Sequence, residues 1–281
     1  MIKSITKPNF FIIGAAKSGT SLLYETLINH PEIFLSPDKE PSFFCNHLDK
    51  HINSTAKYFD LYEEVKDEPI VGEASHIYLT DPSSPRILKG LFPDAKFLVT
   101  LRNPADKAYS QYVHLRRDGF ECYNTFEKAL QAENKRLHSE QFKKKKQYYY
   151  NYLYFHSGLF GQQLQRYFSL FDRAQFHIIT LDHLKNHFEE TIENILVFLE
   201  VESNITLKTG DRNKGYDVRF LPLQRLQRSL PSQYRKYLDP LAALNKTKTW
   251  PINKTTRAEL MKRYETDLGM LYELTHIDLT K

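Results

Sequence analysis

The 281-residue chain is poor in cysteine, glycine and long apolar runs. Its two cysteines, Cys45 and Cys122, are isolated, with no second cysteine or histidine pair at ligand spacing, which excludes a disulfide framework and argues against a metal centre. Two buried free thiols are favoured over a Cys45–Cys122 disulfide. The longest apolar stretches, NFFIIGAA and AKFLVTL, fall short of the roughly 20 residues that a membrane helix needs, and Lys3 is followed by no cleavable apolar region. The expectation is a soluble, cytoplasmic protein with no stable membrane insertion. Internal repeats and low-complexity linkers are lacking too, so one continuous domain over residues 1–281 is expected, with a core over about 8–230 and a helical elaboration over about 219–281. Nor is there a large excess of one charge: 39 Lys and Arg against 34 Asp and Glu give +5, which suits an anionic ligand without demanding nucleic acid.

What the chain does have is ample material for a packed core, 41% hydrophobic and 14% aromatic. Short apolar runs in NFFIIG, EPIVGEAS, AKFLVTL and QFHIITL predict strands, the third from Lys96 to Leu101. TSLLYETLINH places Leu22, Leu23, Leu27 and Ile28 on one helical face before Pro31. A helix begins at SSPRI, another runs through ADKAYSQYVHLRRDG to Gly119, and GLFGQQLQRYFSLF and FEETIENILVFLEV are two more. Strands alternating with such helices predict a mainly parallel sheet covered on both faces, α/β/α in three layers, followed by an amphipathic helical C-terminal region. The basic run QFKKKKQYYYNY, residues 141–152, reads as a solvated helix end, with a grip on an anionic polymer as the alternative. Tyrosines 148 to 154 suit either sugar stacking or core.

FFIIGAAKSGTSLLYETL, residues 10–27, reads as strand, loop and helix. A Walker A loop sets its lysine directly after the last glycine, within reach of the β and γ phosphates. Here the order is Gly14-Ala15-Ala16-Lys17-Ser18-Gly19-Thr20-Ser21, so the lysine comes two residues before the glycine. Gly19 permits the turn, N–H groups of Ser18 to Ser21 open a helix, and hydroxyls add donors, so the loop still suits phosphate. Lys17 then stands beside the terminal group of a nucleotide. No strand-borne aspartate plainly supplies a magnesium ligand, Asp182 after HIITL lacking other support. Arg102 ends a strand at the carboxyl end of the sheet, where open α/β folds bind ligands. Ser110 lies two turns into the next helix, a spacing that lets guanidinium and hydroxyl meet one anion, although Ser110 alone reads as an ordinary helix serine. TGDRNKGYDVR concentrates Arg212, Lys214 and Arg219 around Gly215, a loop able to fold over a nucleotide.

IIGAAKSGTSLLYETLINHPEI resembles the 5′-phosphosulfate loop of sulfotransferases that use 3′-phosphoadenosine 5′-phosphosulfate (PAPS), in particular the heparan sulfate and bacterial carbohydrate branch. SPDKEPSFFCNH resembles that branch's K-E-x-x-F-F segment, LVTLRNPADKAYSQYVH its 3′-phosphate motif, GLFGQQLQRYFSLF a helix of the same proteins, and RNKGYDVRFLPLQRL the late basic loop; these matches span about residues 10–230. The resemblance implies a P-loop NTPase-like fold and in-line transfer of a sulfuryl group from PAPS to a hydroxyl, less readily an amine, of a carbohydrate acceptor, with no metal required. It implies that Lys17, Ser18, Gly19, Thr20 and Ser21 hold the 5′ end, that Lys17 stabilises the leaving oxygen, that Arg102 and Ser110 bind the 3′-phosphate, and that Arg212, Lys214 and Gly215 cover the nucleotide.

By the same resemblance Glu40 is the general base, and Pro41, Phe43 and Phe44 offer the apolar setting that raises a carboxyl pKa toward neutrality. Lys39, His76 and His114 are candidate acceptor-side residues. The two histidines compete with Glu40 for the base role, because cytosolic sulfotransferases similar in this loop use histidine. The chain departs from the heparan sulfate enzymes at Ala74-Ser75, where they tend to carry a lysine, and at Tyr216, where the family often has arginine after Lys-Gly. The competing readings are a P-loop kinase or NTPase of related fold and a non-catalytic module for anionic polymers.

Overall fold

The structure, a computed structural model, describes residues 6–45, 52, 54–145, 149–204, 207 and 216–280. Its centre is a parallel sheet of β1 (Phe10–Gly14), β2 (Ile33–Leu35), β3 (Ile70–Ala74), β4 (Lys96–Leu101) and β5 (Phe176–Thr180), in the order β2-β3-β1-β4-β5. The strands read as unbroken apolar runs because helices cover both faces. Along β1 the side chains alternate between two cores: Phe11 and Ile13 join Phe97, Val99 and Leu101, while Phe10 and Ile12 join Leu98 and Ile179. The second core is closed by α1 (Thr20–Leu27) and the helix Phe188–Leu199. The first is closed by α2 (Thr55–Asp60), α3 (Ile77–Thr80), α4 (Ser84–Leu91), α5 (Pro104–Arg117) and the helices Phe160–Phe168 and Lys254–Thr275. The expected α/β class and its four strands are present; the three-residue β2 was too short to show a pattern.

Local differences have local causes. In α1, Thr20, Leu23, Tyr24 and Leu27 form a buried i, i+3, i+4, i+7 stripe, with Thr26 buried beside it; Leu22 lies at its edge, and Ile28, one residue past the helix, is 43% exposed. The tyrosine run is core: Tyr149, Tyr150, Tyr152 and Tyr154 are buried, Tyr150 donates to Asp81 at 3.0 Å, and Tyr154 donates to Glu121, which also holds Arg136 in a bidentate pair. Tyr148 lies outside the described residues. Cys45 is buried, whereas Cys122 is exposed, contrary to expectation, because its neighbour Glu121 turns inward to Arg136; no disulfide joins the two. The C-terminal region is helical but interrupted by the two-residue antiparallel ladder of β6 (Asp217–Val218) and β7 (Lys246–Thr247). Its last helix belongs to the core through Leu260, Tyr264, Leu268 and Leu271, and Asp267 accepts the N–H groups of Gly161 and Gln162, both at 2.9 Å, capping the helix Phe160–Phe168.

Gly72 lies in β3 where an added Cβ would sit 2.4 Å from the Phe10 carbonyl oxygen of β1. Gly72→Ala must spread the two central strands and is expected to lower stability by about 2 kcal/mol, read as a fall in Tm. Gly90→Ala, whose Cβ meets no atom within 4 Å, should hold or raise Tm, since alanine is the better helix former.

Candidate active site

β3 lies on one side of β1 and β4 on the other, so sheet growth reverses at the carboxyl end of β1, where open α/β sheets bind ligands. Four segments leave the sheet there: residues 15–19 after β1, 36–45 after β2, Ser75 and His76 after β3, and Arg102 and Asn103 after β4. In the first, Lys17 has φ 64° and Gly19 φ 97°, and Gly19 precedes α1 without a side-chain cap. Ser18 is fully buried, and its Oγ has no hydrogen-bond partner among the described residues. Uncapped helix N–H groups beside an orphaned buried hydroxyl make a loop that an anion would satisfy. Thr20 and Ser21 open the helix as expected.

In RNP, Asn103 accepts the N–H groups of Ala105 and Asp106 at 3.1 and 3.2 Å, and so serves as the cap of α5, with Pro104 at its first position. Arg102 reaches across to the Lys17 carbonyl at 3.5 Å. Lys17, Arg102 and Ser110 line one cavity of about 570 Å³, together with Asp106, Tyr109, His114 and Arg117 of α5, Tyr216, and the segment Thr249–Ile252. Crowded cations set its electrostatics. Burial, then the Arg117 charge, lowers the Lys17 pKa to about 8, with Arg102 and Lys39 adding to the effect and Asp118 opposing it. Burial also lowers Arg102, against Asp106 and Asp182. His114 is pushed down to about 4 by burial and then by Lys17, and its Nδ1 accepts from Arg117 at 2.7 Å.

Arg117 had not been singled out, although it lies seven residues after Ser110 on the same face of α5. Thr249–Ile252 carried no signal, because tertiary contacts bring them in: the β6–β7 ladder, and the pair of Arg257 with Asp106 at 3.0 and 3.2 Å. Arg212, Lys214 and Gly215 lie outside the described residues. Their neighbour Tyr216 does line the cavity, with the Arg117 guanidinium 5.4 Å from its ring centre.

Glu40 stands beside this cavity. Its N–H donates to the Ala74 carbonyl at 2.9 Å; Oε1 accepts from Lys39 at 3.0 Å, and Oε2 from the His76 N–H at 2.9 Å, with His76 Nδ1 at 2.8 Å. Sequence predicted a raised carboxyl pKa, and the structure reverses that. Burial alone does push Glu40 up, but the charge and hydrogen bond of His76, then those of Lys39, hold it at about 2. Phe43 and Phe44 pack on Tyr58. Lys39 and His76 thus gather at Glu40, His114 at the cavity; Lys17 feels Lys39, and His114 feels His76, so the two groups adjoin. Inorganic sulfate, whose charge is constant near neutrality, should lose roughly tenfold in affinity as pH rises through about 8 and Lys17 loses its proton; calorimetry should show that loss absent in Lys17→Arg.

The family described as the sulfotransferase domain matches residues 7–216. The chain is 34% identical to the membrane-associated sulfotransferase kil1 of Dictyostelium discoideum over 110 residues, 39% of this chain and 23% of that protein. It is 34% identical to heparan sulfate glucosamine 3-O-sulfotransferase 6 of Mus musculus over 106 residues, 38% of this chain and 30% of that one. It therefore spans less than a third of the length of these curated relatives. The sulfotransferase of Alicyclobacillus acidocaldarius superimposes with a TM-score of 0.76 at 28% identity, over 98% of both chains. Matched along most of its length in sequence and along nearly all of it in fold, the chain belongs to the sulfotransferase domain family.

Proposed function

We propose that the chain transfers a sulfuryl group from PAPS to a hydroxyl of a carbohydrate acceptor. The observation that carries this reading is the convergence of Lys17, Arg102 and Ser110, from separate segments, on one cavity in a chain of this family. Relatives named for heparan sulfate support a carbohydrate acceptor. PAPS is anionic at both ends. The Gly19 to Ser21 N–H groups, the Ser18 hydroxyl and Lys17 take the 5′ end, Arg102 and Ser110 take the 3′-phosphate, and Tyr109, Tyr216 and Trp250 offer aromatic faces for the purine. By the family resemblance, Arg212, Lys214 and Gly215, which lie outside the described residues, are assigned to the nucleotide.

In the transfer the acceptor oxygen attacks sulfur in line, and the bond from sulfur to the 5′-phosphate oxygen breaks. Adenosine 3′,5′-bisphosphate departs, with Lys17 neutralising the charge that builds on its oxygen. The acceptor proton passes to Glu40. A carboxyl held at about 2 by two partners is a weak base; when Lys39 turns from Glu40 to the sulfuryl oxygens and the acceptor excludes water, one restraint is lifted and its basicity rises, with the stronger restraint of His76 still in place. His76 keeps Glu40 oriented, and His114 faces the acceptor. A sulfuryl group carries less charge than a phosphoryl group, so these cations serve in place of a metal ion.

Calorimetry with adenosine 3′,5′-bisphosphate, ATP and polyphosphate, each with and without magnesium, tests the reading. Tight, metal-independent binding of the bisphosphate is expected. A preference for ATP with magnesium would make the chain a kinase or NTPase, and binding of polyphosphate alone a non-catalytic module. Arg102→Ala should weaken bisphosphate binding by roughly 1.5 to 3 kcal/mol. Labelled PAPS offered to desulfated heparin, chondroitin, simple glycosides and phenol identifies the acceptor. On it Lys17→Ala and Glu40→Gln should each lose about 100-fold or more in turnover, Glu40→Gln with bisphosphate affinity intact; wild-type turnover in Glu40→Gln would pass the base role to a histidine.

A further inference from the structure

Glu73 in β3 is fully buried, and no cation pairs with it among the described residues. Three hydroxyls satisfy it instead: Ser75 donates to Oε2 at 2.7 Å, and Tyr58 and Tyr78 donate to Oε1 at 2.8 and 3.1 Å. A hydroxyl has one proton, so each of these, having spent it on the carboxylate, turns its lone pairs away. Two of them then receive the loop that carries Glu40. Ser75 Oγ accepts the Ser42 N–H at 2.9 Å, and the Tyr78 hydroxyl accepts the Phe44 N–H at 3.3 Å. The loop requires such ties, since Glu40 and Ser42 hold φ of 65° and 53°, left-handed for residues other than glycine, on either side of Pro41.

We infer that Glu73 is a positioning residue: by orienting the Ser75 and Tyr78 hydroxyls toward the Ser42 and Phe44 amides, it fixes the loop that presents Glu40 to the acceptor. The catalytic part rests on Glu40 being the base; the structural part does not. The relay works while Glu73 is an acceptor on both oxygens. Protonation gives it a donor of its own, so one of the three hydroxyls must turn. Facing Glu73 are Tyr58 from α2, Tyr62 from the turn after it, Tyr78 from α3, Ser75 just past its own strand, and the charge of Glu40. Burial pushes the carboxyl up to about 7, the three hydroxyls restraining it and Glu40 adding to the rise. The ionised form predominates above that value, so turnover should fall as pH drops through about 7.

The test combines amide hydrogen exchange with kinetics on Glu73→Gln, which keeps the shape and replaces one acceptor by a donor. Expected are exchange at Ser42 and Phe44 faster by at least tenfold, kcat lower by at least tenfold, affinity for adenosine 3′,5′-bisphosphate within twofold, and loss of the acid limb of kcat. Tyr62→Phe, which removes a hydroxyl behind Tyr58 at 3.0 Å, is the control: Tm falls while exchange at the two amides and kcat hold. If Glu73→Gln does not fold, Ser75→Ala should release the Ser42 amide alone and Tyr78→Phe the Phe44 amide alone. Exchange no faster than in the control overturns the inference. Faster exchange with unchanged kcat, where Glu40→Gln is inactive, removes its catalytic half. Unchanged turnover in Glu40→Gln itself refutes the base assignment, leaving exchange to decide the relay.

Discussion

Positive charge held together against its own repulsion at the carboxyl end of β1 is the constraint on which the molecule turns. Lys17 and Arg102 come from neighbouring strands of a parallel sheet, and Arg117 from the helix that follows the second, so the pairing of β1 with β4 forces them into one space. Burial raises the cost of that charge, and Arg117 and Arg102 each lower the lysine's affinity for its proton. A bound anion relieves the repulsion while Lys17 keeps its proton. A site of this kind is destabilised when empty, which is how the fold turns part of its own stability into affinity.

The same electrostatics set two protonation states side by side in the candidate site. On the cavity side histidine is kept neutral, because His114 is buried, lies near the Lys17 charge and accepts from Arg117. On the loop side carboxylate is kept ionised, because Glu40 sits between His76 and Lys39. Lys17 stands between the two groups, sensing both Arg117 and Lys39. Lys39 links the two groups, since it holds Glu40 down and also lowers Lys17, so an anion that draws Lys39 away changes the charge balance at both.

What the sequence disclosed follows from how local each feature is. The loop with Lys17 and the pair of Arg102 and Ser110 lie within single strand–turn–helix units, where spacing alone sets direction. Glu40 was legible as a residue and misread in its surroundings, since its partner His76 is brought to it by the pairing of β2 with β3, which local spacing does not reveal. Glu73 looked like one more strand position; its meaning depends on hydroxyls from α2 and α3. The tyrosines after the lysine run were ambiguous because their burial depends on Glu121 and Asp81, far away in the chain. Thr249–Ile252 had no pattern of their own, being carried to the cavity by a ladder and an ion pair.

The helix Lys254–Thr275 is fastened to α5 by Arg257, to Glu127 by Thr256 and to the helix Phe160–Phe168 by Asp267. Between the ladder and that anchored rod, the outer wall of the cavity is held at both ends, while the stretch leading to it leaves Phe220, Tyr237 and Leu244 largely exposed. Substitutions there meet few packing demands. Evolution can therefore redraw the rim of the site by drift in one surface segment, while the sheet that arranges the cations stays as it is.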